Sequence, residues 1–244
     1  MRAKVIMIAS GKGGTGKSTV AVLLGSRLAA AGHPTLLIEL DSGLRSVDII
    51  SGVYGKTVYD IEDVLCGRCS GEKAVVESPL YPGLSVISAP YEGGEVKTES
   101  LQALCSAVGG CFDYLILDTA AGMGAPFQAA RSCADQALLV LPADPVSLRD
   151  GRIVSDALYA GGLRDIRLVL NRVGPRTFRT GAVRDLDECI DTVCAQLIAV
   201  LPESAEVQLA AARSTALPAD CLAFTAVDRL AQRVLGKRVG LAVR

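Results

Sequence analysis

Apolar runs of strand length recur along the chain, separated by stretches with helical periodicity. The runs are Lys4–Ala9, Thr35–Glu39, Leu84–Ser88, Tyr114–Leu117, Gln136–Leu141, Ile166–Leu170 and Leu197–Leu201. They are rich in Val, Ile and Leu and nearly continuous, the pattern of parallel strands covered on both faces. Between them, the periodicity predicts helices over Lys17–Ala31, with Gly32 as its stop, and over Glu99–Val108, Ser147–Ala160, Asp185–Gln196, Glu203–Ala212 and Ala219–Val234. Strand and helix alternate throughout, which predicts a single doubly wound α/β domain. Its sheet is mostly parallel, of about seven or eight strands, with helices on both faces. Tyr54–Pro82 breaks the rhythm and reads as short helices and loop on the rim. The domain is expected to span 1–235, leaving 236–244 as a basic C-terminal tail.

Composition narrows the function. Half of the 244 residues are hydrophobic, and 25 Lys+Arg balance 26 Asp+Glu for a net charge of -1. A disordered chain is excluded, and a globally basic nucleic-acid binder is disfavoured, although the excess of Arg over Lys leaves room for a local basic patch. With His33 the only histidine, a catalytic triad or a multi-histidine metal site has no residues to draw on. Aromatics make up 4%, too few for base-stacking platforms. No run approaches the ~18 apolar residues of a membrane span. The first apolar run is too short for a secretory signal, and eight cysteines in a chain this long need not be staples. A reducing, cytoplasmic setting is the expectation.

The chemistry concentrates just after the first strand. Gly11-Lys12-Gly13-Gly14-Thr15-Gly16-Lys17-Ser18-Thr19 contains G-x-x-x-x-G-K-[ST] and runs into the longest helical pattern. Glycines let the backbone turn its N–H groups onto phosphate oxygens. Lys17 can reach the β- and γ-phosphates, the Ser18 hydroxyl suits Mg2+, and the positive end of the following helix points to the same place. Lys12 is not needed for that cradle. At the start of the loop it can point away from its own protomer's phosphates and approach those of another.

With Lys12 in place the loop resembles the deviant Walker A motif, K-G-G-x-G-K-[ST], of the MinD/ParA ATPases. The likeness continues in order. Leu37–Gly52 and Val58-Tyr59-Asp60 resemble switch I, Leu117–Gly122 the Walker B and switch II segment, and Val146–Asp150 a helix start. Leu170-Asn171-Arg172 and Val200–Glu203 resemble the two adenine-side loops. Together they cover about residues 3–235. Gly43-Leu44-Arg45 after Asp41 is closer to the MinD branch than to the ParA branch.

The resemblance implies Mg-ATP as cofactor and substrate, and an ATP-dependent homodimer in which Lys12 acts across the interface. It also implies slow hydrolysis awaiting an activating protein partner. Lys12, Lys17 and Asp41 are the expected catalytic residues, with Asp41 positioning the attacking water. Gly11, Gly13, Gly14, Thr15, Gly16, Lys17, Ser18, Thr19, Asn171, Arg172, Pro202 and Glu203 are expected to hold the nucleotide, and Ser18 with Asp118 the Mg2+. Asp118 ends an apolar strand, where open α/β sheets bind ligands. The Asn171 amide can pair with a purine edge, and Arg172 can stack on the base. Glu39 departs from the family, which usually has Asp there, and shifts that carboxylate by about one bond length.

Two features stand outside that frame. Cys66-Gly67-Arg68-Cys69 is a single C-x-x-C, readable as ordinary thiols, a redox pair or half of a cluster bridging two protomers. Cys105, Cys133, Cys194 and Cys221 fall on apolar helical patterns and are expected in the core. In the tail, Arg229, Arg233, Lys237 and Arg244 share one side of a helical projection, with Leu230, Val234, Leu235, Val239, Leu241 and Ala242 on the other. MinD proteins carry a basic amphipathic tail, so contact with the inner face of the membrane is one expectation. The alternative is a final core helix with a solvated end. Two further roles stay open. A DNA-partition ATPase would show salt-dependent DNA binding with ATP, and a pilus or flagellar placement ATPase would act on proteins alone.

Overall fold

Alternation within the first apolar run builds both cores of the molecule. In the computed structural model, which describes residues 2–43, 45–92 and 96–241, β1 (Lys4–Ala9) sends Val5, Met7 and Ala9 to one face of the sheet and Ile6 and Ile8 to the other. Seven further strands flank it: β2 (Thr35–Glu39), β3 (Val76–Glu77), β4 (Leu84–Ile87), β5 (Tyr114–Asp118), β6 (Gln136–Leu141), β7 (Ile166–Val173) and β8 (Gln196–Pro202). Their order is β3-β4-β2-β5-β1-β6-β7-β8, parallel except for β3 against β4. β1 lies between β5 and β6, so the strand order reverses there. The crevice at the carboxyl end of β1 is thus the switch point at which such sheets bind ligands.

Helices cover both faces. One side carries α1 (Lys17–Ala30), α2 (Ser46–Ser51), α9 (Ala205–Arg213) and α10 (Leu222–Val234). The other carries α3 (Ile61–Leu65), α4 (Gly71–Ala74), α5 (Thr98–Val108), α6 (Ala125–Cys133), α7 (Pro145–Ala160) and α8 (Leu186–Val193). α1 lies so close to the sheet that a Cβ at Gly25 would stand 2.8 Å from Leu84 and 3.3 Å from Ile116.

Several elements differ from the expectations. β3 is two residues long and has no pattern to read. α2 and α6 are short, of six and nine residues: α6 opens on Ala125-Pro126 and buries small residues around Phe127. α8 stops at Val193, not Gln196, because Cys194 takes a left-handed conformation (φ 53°) and caps it. That turn leaves Cys194 exposed, contrary to its expected place in the core. Cys221 is half-buried and caps α10 by accepting the Phe224 N–H at 3.3 Å. Cys105 and Cys133 are buried as expected. His33 pairs with Asp113 at 2.8 Å, far from the crevice.

The tail does not continue the helix. α10 ends at Val234, and Gly236 turns the chain at φ 80°. Arg233 then donates to the carbonyls of Val239 at 2.7 Å and Ile198 at 3.0 Å, and Arg229 to that of Leu241 at 3.0 Å. These two arginines therefore bind the backbone that follows, instead of forming a free basic face. Ala242 and Arg244 lie outside the described residues. Among the described residues, no helix is long and apolar enough to cross a membrane.

Candidate functional site

The phosphate loop is shaped by its glycines. Gly16 sits at φ 93° as the N-cap of α1, with no side chain to cap the helix, so the first N–H groups of α1 stay open to an incoming anion. Any side chain at Gly16 would strike the Asn171 amide. Gly13 and Gly14 face solvent, and a Cβ on either would meet nothing within 4 Å. Asn171 Nδ2 donates to the Thr15 carbonyl at 2.8 Å, which ties the end of β7 to the loop and commits one N–H of the amide expected at the base. Lys17 is buried, its Nζ donating to Ser10 Oγ at 3.2 Å; the Ser10 hydroxyl donates in turn to the Lys12 carbonyl at 2.7 Å. Ser10 was absent from the expected site, although it immediately precedes the motif.

Lys12 points out of this cradle. Its Nζ lies 3.7 Å from Asp144 Oδ1 on the rim. Asp144 is the N-cap of α7, accepting from Ser147 N at 2.9 Å. Asp144-Pro145 is a helix-start signal that would have moved the α7 boundary and put an acid beside Lys12.

Four carboxyl groups, Asp118, Asp41, Glu39 and Asp48, lie near one another below the loop. Asp118 is fully buried at the end of β5, paired in register with Glu39 of β2. Burial pushes its pKa up to about 7, against the pull of the Ser18 hydroxyl and Lys17, with Asp41 adding to the rise. Ser18 approaches it, yet neither carboxylate oxygen has a hydrogen bond of full geometry. An orphaned, buried carboxylate beside a loop hydroxyl is the donor set a divalent cation needs, and Ser18 and Asp118 fit Mg2+.

Glu39 is buried too, its Oε1 accepting from Val47 N at 3.2 Å and its Oε2 from Ala89 N at 3.3 Å. Burial nonetheless pushes its pKa from 4.5 to about 8, with the nearby Asp118 and Asp48 adding to the rise. A carboxyl group raised in the folded state holds its proton there, and its stabilising contribution is lost as pH climbs through the window from about 4.5 to about 8. Glu39→Gln cannot ionise. Relative to wild type its stability should therefore improve by about 2–4 kcal/mol between pH 5 and pH 8. Urea unfolding of both proteins at the two pH values measures this; an unchanged difference would contradict it.

The segment resembling switch I is held by a polar network. Arg45, at φ 44°, donates to Asp48 at 2.7 Å and to Thr57 at 2.5 Å, and lies 4.1 Å over the Tyr91 ring. Asp48 also accepts the Ser88 hydroxyl. Arg45, Asp48 and Ser88 are all buried. Nothing in the sequence marked them as partners, because the contacts join separate elements. Leu44 lies outside the described residues.

On the base side, Gly16, Thr19, Asn171, Arg172, Pro202 and Glu203 line one cavity of about 300 Å³ between α1, α9 and the ends of β7 and β8. Arg172 is turned out to it by a left-handed backbone, φ 56°. The expected base-side residues are thus brought together. In the C-x-x-C, Cys66 is exposed and Cys69 half-buried; among the described residues of the single chain, no group of three or more His, Cys, Asp or Glu could hold a metal ion.

A family profile described as the CobQ/CobB/MinD/ParA nucleotide binding domain matches residues 6–217. The septum site-determining protein MinD of Synechocystis sp. is 32% identical over 206 residues, 84% of this chain and 77% of that protein. That of Helicobacter pylori is 31% identical over 245 residues, 96% of this chain and 91% of that one. A MinC:MinD cell division protein complex from Aquifex aeolicus contains a chain of the same fold, with a TM-score of 0.91, 32% identity and 98% of each chain covered. A Pyrococcus horikoshii MinD complexed with Mg-ADP, 24% identical, superposes with a TM-score of 0.84 over 95% of this chain and 96% of that one. At that identity the likeness is one of fold.

Proposed function

The chain belongs to the CobQ/CobB/MinD/ParA nucleotide-binding family and is a P-loop ATPase, and from that premise we propose that it works as a MinD-like spatial switch in septum placement. ATP binding assembles two protomers and slow hydrolysis separates them. The observation that carries this reading is Asp118: a buried, unpartnered carboxylate beside Ser18 and Lys17, under a loop whose helix N-terminus stands open.

The roles follow from position. Open N–H groups of the loop and of the first turn of α1 hold the phosphates, and Lys17 turns from Ser10 to the β- and γ-oxygens. Ser18 and Asp118 would hold Mg2+, and the bound ion would supply positive charge to offset that on the transferred phosphoryl group. Asp41, close enough to Asp118 to raise its pKa, orients the attacking water. Lys12 points outward and reaches the nucleotide of the second protomer, once Asp144 releases it. Cleavage of the γ-phosphate removes contacts to the loop and to the turn after Asp118, whose Gly122 N–H is bonded to Ser10 O at 3.2 Å.

A protein partner that accelerates hydrolysis fits a slow switch; the Aquifex relative was solved with MinC. Nucleic acid fits less well, given the net charge of -1. The tail 236–244 is the element proposed to touch the membrane surface, and doing so requires Arg229 and Arg233 to release the backbone they hold.

One experiment with two readouts tests the reading. The full chain and a chain ending at Leu235 are incubated with anionic vesicles and Mg-ATP or Mg-ADP. Both chains should release phosphate slowly, and only the full chain with ATP should pellet with vesicles. No phosphate release removes the ATPase cycle. Pelleting that ignores nucleotide or tail removes the membrane step.

A further inference from the structure

The pole of the sheet opposite the phosphate loop holds a pair of thiols that the nucleotide chemistry does not use. Cys105 lies in the last turn of α5 and Cys133 ends α6. Far apart in sequence, their thiols approach each other beside the point where Gln102 Nε2 of α5 donates to the Ser132 carbonyl of α6 at 3.5 Å. Both line a cavity of about 460 Å³ at the N-terminal end of β1, whose walls include Arg2, Gln102, Ser106, Gly109, Gly110 and Ser132. The Arg2 side chain is 73% exposed, so the cavity opens to solvent.

The two sulfurs are chemically unequal. The nearby Cys105 thiol holds the Cys133 thiol below the ordinary thiol range, helped by the Ser132 hydroxyl at 3.8 Å and by Arg2. The same contact, with burial, pushes Cys105 up. The other cysteines with a displaced thiol move upward: Cys69 through burial and Asp63, and Cys189, through burial, to about 11. A readily ionised thiol in contact with a second thiol, at the edge of an open cavity, is the arrangement of an attacking and a resolving cysteine.

We propose that Cys105 and Cys133 are a thiol switch, oxidised to a disulfide by small-molecule disulfides that enter this cavity, and that the bond tethers α6 to α5. The Cys133 thiolate attacks one sulfur of the reagent, R–S–S–R, forming a mixed disulfide and expelling R–S⁻, which takes a proton. Cys105 then loses its proton to solvent and its sulfur attacks that of Cys133, expelling the second R–S⁻. Two protein thiols become one disulfide, and one R–S–S–R becomes two R–SH.

The tether reaches the nucleotide site through the chain. The loop that the bond closes contains all of β5, with Asp118 at its end, and the turn that leads into α6. That turn is bonded to β1 through Thr119 and to Ser10, just after β1, through Gly122. Fixing the far end of α6 restrains a segment that the proposed hydrolysis cycle must move. The bond itself does not depend on the ATPase reading; only its effect on turnover does.

The test treats the purified full chain with oxidised glutathione and maps its cysteines by mass spectrometry. The expected map joins Cys105 to Cys133. In Cys105→Ser, Cys133 should stop at the glutathione adduct, and in Cys133→Ser, Cys105 should remain a free thiol. Free thiols at both positions in wild type, beside adducts on the exposed Cys66, Cys111 and Cys194, would overturn the switch. So would pairing with any other cysteine. The wild-type map decides this even if a variant fails to fold. ATP turnover of the oxidised protein should fall roughly fivefold and recover on reduction; a mapped bond with unchanged turnover would overturn the tether.

Discussion

Asp118→Asn should raise the stability of the nucleotide-free protein while destroying its turnover. Asp118 is fully buried, neither of its oxygens has a hydrogen-bond partner of full geometry, and burial pushes its pKa up to about 7. At pH 8 the folded protein therefore holds a desolvated negative charge that Lys17 and Ser18 only partly offset. Asparagine keeps the shape and removes the charge. Melting at pH 8 without Mg2+ should rise by about 2–4 °C for each kcal/mol recovered, and the gain should shrink at pH 5, where wild type is protonated too. With Mg-ATP the sign reverses. The variant has lost a cation ligand, so turnover should fall by about 10²–10³-fold and Mg-nucleotide should stabilise it less than wild type. A variant that melts lower than wild type at pH 8 without Mg2+ and still turns over would show that Asp118 is a structural acid.

Lys12→Ala is the second large effect, and it separates binding from cycling. Lys12 sits on the rim, half-exposed, with one carboxylate 3.7 Å away. Such a pair is worth at most about 1 kcal/mol, so the fold is not at stake. The loop keeps Lys17, Ser18 and the open helix end, so nucleotide affinity per chain should fall only a few-fold. Turnover should drop by about 10²-fold or more, because the missing ammonium is one the partner's site needs in the transition state. Equilibrium binding of a fluorescent ATP analogue beside phosphate release measures the split. Equal losses in both would place Lys12 in its own cradle.

Much of this site was legible because its determinants are local in sequence. The loop from Gly11 to Thr19 carries its own turn chemistry and its helix start, and the apolar run before it specifies a strand buried on both faces. Asp118 was legible as the last residue of such a strand. What could not be read depends on contacts between distant elements. Ser10 matters because Lys17 folds back on it, and Arg45 because Asp48, Thr57 and Tyr91 converge on it. Cys105 and Cys133 read separately as core residues, and only the packing of α5 on α6 makes them a pair. The end of the last helix was legible at Val234, where Gly236 at φ 80° turns the chain; the bonds from Arg229 and Arg233 to the backbone beyond it were not, because they join separate segments. Cys194 was misjudged as core, since a left-handed cap on a non-glycine residue leaves no mark in hydrophobic periodicity.

ATP, and not ADP, should join two copies through Lys12. Solution mass measured by light scattering on the full chain and on Lys12→Ala, each with Mg-ATP and with Mg-ADP, tests it directly. Wild type with Mg-ATP should show twice the monomer mass, and the other three cases should show monomers. A wild-type monomer with ATP demonstrably bound, or a Lys12→Ala dimer as abundant as that of wild type, would contradict it.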